Sequence, residues 1–208
     1  MALARLLPPQ PYNSWATAVL QPVTPAHRHL LDVWLRTGTV NAAAGALGLS
    51  AGTVRARLGH LTGLLGADLP DAAVRAYLLL ALRAPTGHHD APAPDGSFTL
   101  GTLPAGILDT EAARTWATSL VGGLQPHLRI ALACWLRHHA KTAPAATDLH
   151  VHRTTLTIWL TQCADHLKQN LDDPTTRTEL HLALEATQDG PDGPAALPRR
   201  GGRTYHRL

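Results

Sequence analysis

Apolar side chains recur along this chain with the spacing of helix faces. Leu49, Val54, Leu58, Leu61 and Leu65 follow one another, and after the first step their intervals run four, three, four, the rhythm of one α-helical face. Val151, Leu156, Leu160, Cys163 and Leu167 repeat it. The pattern predicts helices over 30–36, 41–47, 51–65 and 74–82. In the second half it predicts one ending at Leu149, one over 152–167 and a last one opened by Asp172-Asp173-Pro174. Hydrophobic residues make up 45% of the chain but aromatics only 4%, so the core is built from Leu, Ala and Val. That composition favours helices over strands, and the expected fold class is all-α.

The second half repeats the first. Trp15-Ala-Thr recurs as Trp116-Ala-Thr, and Trp34-Leu-Arg as Trp135-Leu-Arg, both at an offset of 101. Leu47-Gly-Leu49 matches Leu149-His-Val151, and Leu78–Leu82 matches Leu180–Leu184, both at 102. One residue has therefore been added between Arg137 and Leu149. A weaker word, Leu20-Gln-Pro, recurs as Leu124-Gln-Pro at 104 and requires compensating gaps. The expected organisation is a first unit over 1–84, a Pro/Gly-rich linker over 85–104, a second unit over 105–186 and a disordered basic tail over 187–208. Within the linker, Ser97-Phe-Thr-Leu-Gly is either a short strand or plain connector.

Each copy carries the punctuation of a helix-turn-helix. In the first, Gly38 stops one helix and Thr39 or Asn41 caps a short Ala-rich one. Gly48 then supplies the turn and Ser50 caps the third helix. In the second, Thr142 is the expected cap, Pro144 sits in the first turn where its missing N–H is harmless, and the third helix starts at about His152. The two halves thus form tandem helix-turn-helix units, in which the third helix is the one that enters a DNA major groove.

Leu149-His-Val-His-Arg-Thr-Thr-Leu156, followed by the 171–184 segment, resembles the C-terminal helix-turn-helix domain of PucR/CdaR-type bacterial regulators. The first copy is similar but looser, through Leu47-Gly-Leu-Ser-Ala-Gly-Thr-Val54 and Arg55-Ala-Arg57-Leu. The resemblance implies DNA binding and transcription control. Family members usually carry one such unit behind a sensory region, whereas this chain has two units and leaves no room for a sensor. It also has Thr157-Ile-Trp159 where the family usually places basic residues.

The candidate DNA-contacting residues of the first copy are Thr39, Ser50, Ala51, Gly52, Thr53, Arg55 and Arg57. Those of the second are Thr142, His152, Arg153, Thr154, Thr155 and Thr157. Arginine pairs bidentately with guanine, and small residues let the helix backbone approach the groove. The hydroxyls and single Arg of the second set suit phosphate contacts and limited base reading. Ile158 and Trp159 offer an apolar surface there, which suits a protein interface. The competing reading is an adaptor of decayed helix-turn-helix units, binding RNA polymerase or another regulator. A homodimer on a longer operator is a further expectation.

Charge refines the picture. The net charge is +3. Residues 1–84 sum to +4, 85–113 to −4 and the tail from 187 to +2, so the first unit is the more basic body. The Arg-rich tail suits phosphate or minor-groove contact, or is simply solvated. No apolar run reaches the length of a membrane span and no signal peptide is evident, which points to a cytoplasmic, nucleoid-associated protein. The two cysteines are too few for a disulfide scaffold. Cys134 and Cys163 fall at core slots held in the first copy by Val33 and Leu61, so they are expected to be small buried hydrophobes. The thirteen histidines include His88-His89, His138-His139 and His150-x-His152, but no structural zinc site is expected. No catalytic constellation or cofactor-binding loop is present, so the chain is not expected to be an enzyme.

Overall fold

The computed structural model describes residues 2–85 and 100–187. The tail, most of the linker and Ser97–Thr99 lie outside them. Among the described residues there are α-helices and no strands. A 3-10 turn at Leu3–Arg5 precedes α1 (Pro9–Leu20), α2 (Pro25–Thr37), α3 (Val40–Leu47), α4 (Ala51–Leu65) and α5 (Ala72–Ala81). The second half supplies α6 (Glu111–Val121), α7 (Pro126–Arg137), α8 (Thr142–Asp148), α9 (Arg153–Leu167) and α10 (Pro174–Ala186).

The helix starts follow from local chemistry. Thr24, Thr39, Ser50 and Asp71 each accept a backbone N–H of the first turn, as Thr110 and Asp173 do in the second half. Proline opens α1, α2, α7 and α10, where its preset φ suits the first turn. In both halves an arginine then ties the incoming loop to its helix. Arg28 donates to the carbonyls of Val23 and Leu20, and Arg129 to those of Leu124 and Gly122.

These struts correct one reading of the repeat. Val23-Thr24-Pro25 is the structural equivalent of Leu124-Gln125-Pro126, at the same offset of 101 as the Trp words. Pro22 lies in the turn between α1 and α2, so the shared Leu-Gln-Pro word is coincidental. The inserted residue is also located. Where Gly38 alone turns the chain between α2 and α3, the second half uses two left-handed residues, His139 and Ala140.

Within each copy, three helices make the helix-turn-helix (α2, α3, α4 and α7, α8, α9), and the last helix of the copy packs against its first. The copies then dock on each other reciprocally. α5 packs on its own equivalent α10; α10 also packs on α2, and α5 on α7. Such mutual contacts are the signature of a two-fold relation, here within one chain. The buried apolar side chains of both copies form a single cluster. Tyr77 Oη donates to Glu185 Oε1 across the junction at 2.7 Å.

Gly38 shows how close the copies come. It is left-handed at φ 77°, and a Cβ placed there would lie 2.5 Å from Pro174 Cγ, on the first residue of α10. Only a residue without a side chain satisfies both the backbone and the neighbouring copy.

Candidate nucleic-acid interface

α4 is the third helix of the first unit, and its start is sharply defined. Gly48 adopts φ 64° and ends α3. Ser50 Oγ accepts the N–H of Thr53 at 3.0 Å and lies 2.8 Å from Thr53 Oγ1. Val54, Leu58 and Leu61 point into the core. The opposite face carries Gly52, Ala56 and Gly59, all exposed. It is a thin surface: a Cβ at Gly59 would meet nothing within 4 Å, and one at Gly52 only Ser50 Oγ at 3.7 Å. Arg55 and Arg57 flank it, both exposed and without an ion pair to any described residue. The sequence of α4 contains no Asp or Glu, so nothing on the helix neutralises them. Thr39 is exposed at the start of α3, with its Oγ1 accepting the N–H of Ala42 at 3.2 Å. Ala51 and Thr53 are half-buried. Thr39, Ser50 and the first two turns of α4 thus belong to one helix-turn-helix, with the exposed residues on its solvent side.

The second unit keeps the scaffold and changes the surface. His150 takes the left-handed position of Gly48, at φ 53°. His152 replaces Ser50 as the cap of α9, but its Nδ1 lies 3.4 Å from the Thr154 N–H, a long capping bond. The same Nδ1 sits 2.7 Å from Thr154 Oγ1. Arg153, Thr154 and Thr157 are exposed, and Thr155 is half-buried. Thr157 Oγ1 donates to the carbonyl of Arg153 at 3.0 Å, which leaves that hydroxyl an acceptor only and ill suited to phosphate. Ile158, in the place of Ala56, is 57% exposed. Trp159, in the place of Arg57, is half-buried and meets His127 edge-on with ring centroids 5.4 Å apart.

Thr142 does not cap α8. It is the first residue of that helix, and the cap position belongs to Lys141, which makes no side-chain cap bond. With the extra residue at 139–140, the position equivalent to Thr39 is Lys141, and an ammonium has no lone pair with which to accept an N–H.

Both cysteines are buried, at the levels of Val33 and Leu61. Burial pushes the Cys163 thiol up to about 11. Cys134 has a polar neighbourhood that the sequence did not reveal. Its Sγ lies 3.3 Å from Asp148 Oδ2, which also meets His138 Nε2 at 3.1 Å and Arg137 Nη2 at 3.4 Å. The Cys, His and Asp atoms lie within 4.8 Å of one another, the compactness of a metal-ligand set. The hydrogen bonds from His138 and Cys134 hold the Asp148 carboxyl below the usual carboxylate range. With Arg137 on the same oxygen, the cluster is satisfied as a hydrogen-bonded ion pair tying α7 to α8.

No described helix is long and apolar enough to cross a membrane. A sequence profile described as the PucR C-terminal helix-turn-helix domain matches the chain twice, over residues 27–84 and 128–186. No curated protein and no solved structure matches it. The two matched spans begin within or at α2 and α7 and run to the ends of the two copies, so they cover both helix-turn-helix units together with the docking helices α5 and α10.

Proposed function

The chain belongs to the PucR C-terminal helix-turn-helix family, with two units of it in tandem; from that premise we propose that it is a sequence-specific DNA-binding transcription regulator whose α4 enters a major groove. The observation that carries this is the solvent face of α4, where Gly52, Ala56 and Gly59 keep the helix thin and Arg55 and Arg57 stand beside them unpaired among the described residues. A thin face lets the backbone approach base edges, and unpaired guanidinium groups are ready for guanine or phosphate. Thr39 and Ser50 present short polar groups at two helix starts, where phosphate is favoured. Arg153 and Thr154 would add backbone contacts from α9. The two-fold docking of the copies suits an operator with two half-sites of unequal sequence, since the two reading faces differ. Duplex DNA is then the principal partner, and the protein works at the chromosome in the cytoplasm.

A second reading is favoured by one observation: Ile158 is exposed where Ala56 stands in the first unit, with Trp159 beside it. An apolar patch there suits a protein partner such as RNA polymerase, another regulator or a second copy of this chain. In that adaptor reading the units no longer grip DNA.

Salt separates the two. A duplex selected from a random pool should bind with an affinity that falls steeply as salt rises, because each neutralised phosphate releases counterions. Combined Arg55→Ala and Arg57→Ala should weaken that binding tenfold or more, since one bidentate pair contributes about 1–3 kcal/mol of discrimination. Absence of duplex binding at low salt favours the adaptor. Unchanged affinity in the double variant refutes the role given to α4.

A further inference from the structure

Where the two copies meet, the chain forms a small half-open cleft of about 60 Å³, lined by the N-terminal ends of α5 and α10 and the C-terminal end of α7. A water needs roughly 10–15 Å³ of such space, so the cavity has room for several waters or one small ion. Its charged lining groups are Arg75 and Arg177, with His139 and His181 also on the wall and no carboxylate among the described lining residues. Arg75 and Arg177 are repeat equivalents at the offset of 102. Reciprocal docking carries them to the same place, because a charge set near a two-fold axis meets its own twin.

The two arginines are held differently. Each stacks on the repeat-equivalent tryptophan, Arg75 on Trp34 at 4.4 Å and Arg177 on Trp135 at 5.6 Å. Arg177 also donates through Nε and Nη2 to the carbonyls of Leu171 and Asp172, at 2.7 and 2.6 Å. Arg75 makes no such bonds: its guanidinium donates no hydrogen bond to any described residue. The nearby acids do not reach it. Asp71 accepts the N–H groups of Ala73 and Val74, and Asp173 that of Thr176. Burial pushes His181 below its ordinary value against the opposing charge of Asp71, and Arg75 is pushed below its ordinary value by burial and by Arg177. Two guanidinium groups therefore face one half-open cleft, one of them with its donors unused, and no carboxylate is among the described lining residues, the nearest charge acting on that wall being Asp71 on His181. A half-buried cation without a hydrogen-bond partner is costly.

We propose that the cavity between Arg75 and Arg177 binds a small oxyanion, a phosphate or a carboxylate group, and so holds the two copies together. The planar fork of Arg75 matches such a group in two bonds. A cleft of this size takes an ion or the head of a small metabolite; it is too small for a duplex. The inference is independent of the DNA reading, because occupancy can be measured without DNA.

The test is thermal unfolding of the full chain in inorganic phosphate or in acetate, with ionic strength matched by chloride. One of the two should raise the melting temperature relative to chloride. At a hundredfold excess over the dissociation constant the rise should be about 5–10 °C for a protein of this size. The arm that responds identifies the head group. Arg75→Gln and Arg177→Gln should abolish the rise. Should a variant fail to fold, the wild-type chain is labelled with phenylglyoxal and read by mass spectrometry. The active anion should then shield Arg75 and Arg177 severalfold more than Arg55 and Arg57. No shift in either anion, an equal shift in folded variants, or uniform shielding of all four arginines overturns the proposal.

Discussion

Replacing Gly38 by alanine measures how tightly the two copies are docked. Two penalties meet at this residue. The left-handed backbone at φ 77° costs a side-chain-bearing residue about 1–2 kcal/mol. The new Cβ would also lie 2.5 Å from Pro174 Cγ, which belongs to a ring at the start of α10 and cannot swing away as a flexible side-chain tip would. Overpacking of this kind adds about 1–3 kcal/mol. Gly48 is the internal control, because it is left-handed at φ 64° but a Cβ there would meet nothing within 4 Å. Its equivalent in the second unit is already a side-chain-bearing residue, His150, at φ 53°. Gly48→Ala should therefore show the backbone penalty alone, and Gly38→Ala both. At roughly 2–4 °C per kcal/mol for a chain of this length, Gly38→Ala should melt about 2–12 °C below Gly48→Ala. Urea unfolding of the two variants, with unchanged slope, would give the same difference as free energy. Equal destabilisation would mean that Pro174 does not bear on Gly38 in solution, and that the docking of the copies is looser than described.

Two further outcomes follow from single side chains. The Glu185 carboxyl is raised above its ordinary value by burial, with Oε2 unpartnered while Oε1 accepts from Tyr77. Its folded state thus holds the proton more tightly than its unfolded state. Any stability this provides is present below the ordinary carboxylate range and is lost as pH rises through the elevated value. Glu185→Gln should therefore melt above wild type at pH 7, the gap closing as pH falls through the elevated value and being closed by the ordinary carboxylate range of about 4; a gap independent of pH would show that the charge is not its cause. His152→Ser should stabilise the chain by up to about 1 kcal/mol, because a short hydroxyl at Ser50's equivalent position replaces a 3.4 Å capping bond; denaturant unfolding no better than wild type would show that the imidazole caps α9 as well as a hydroxyl.

The amino-acid sequence by itself determined the parts that depend on near neighbours. Helix periods, the caps Thr39 and Ser50, the glycine turn at Gly48 and the internal repeat all act within a few residues or through simple matching, and each is where the pattern implied. The outward placing of Arg55 and Arg57 is of the same kind, since fixing Val54 and Leu58 in the core turns the opposite face to solvent. The Arg28 and Arg129 struts are marked in the chain too, by a Pro-x-x-Arg spacing shared at the offset of 101. Only the tertiary structure decided the rest. Where between Arg137 and Leu149 the extra residue falls depends on two left-handed residues that no periodicity marks; with it at 139–140, Lys141 stands at the position of Thr39 and Thr142 is the first residue of α8. The reciprocal docking of α5 with α10, the close approach of Pro174 to Gly38 and the meeting of Arg75 with Arg177 are long-range. They arise when two similar surfaces find each other across an approximate two-fold axis, and no local window along the chain records which residues lie nearest that axis.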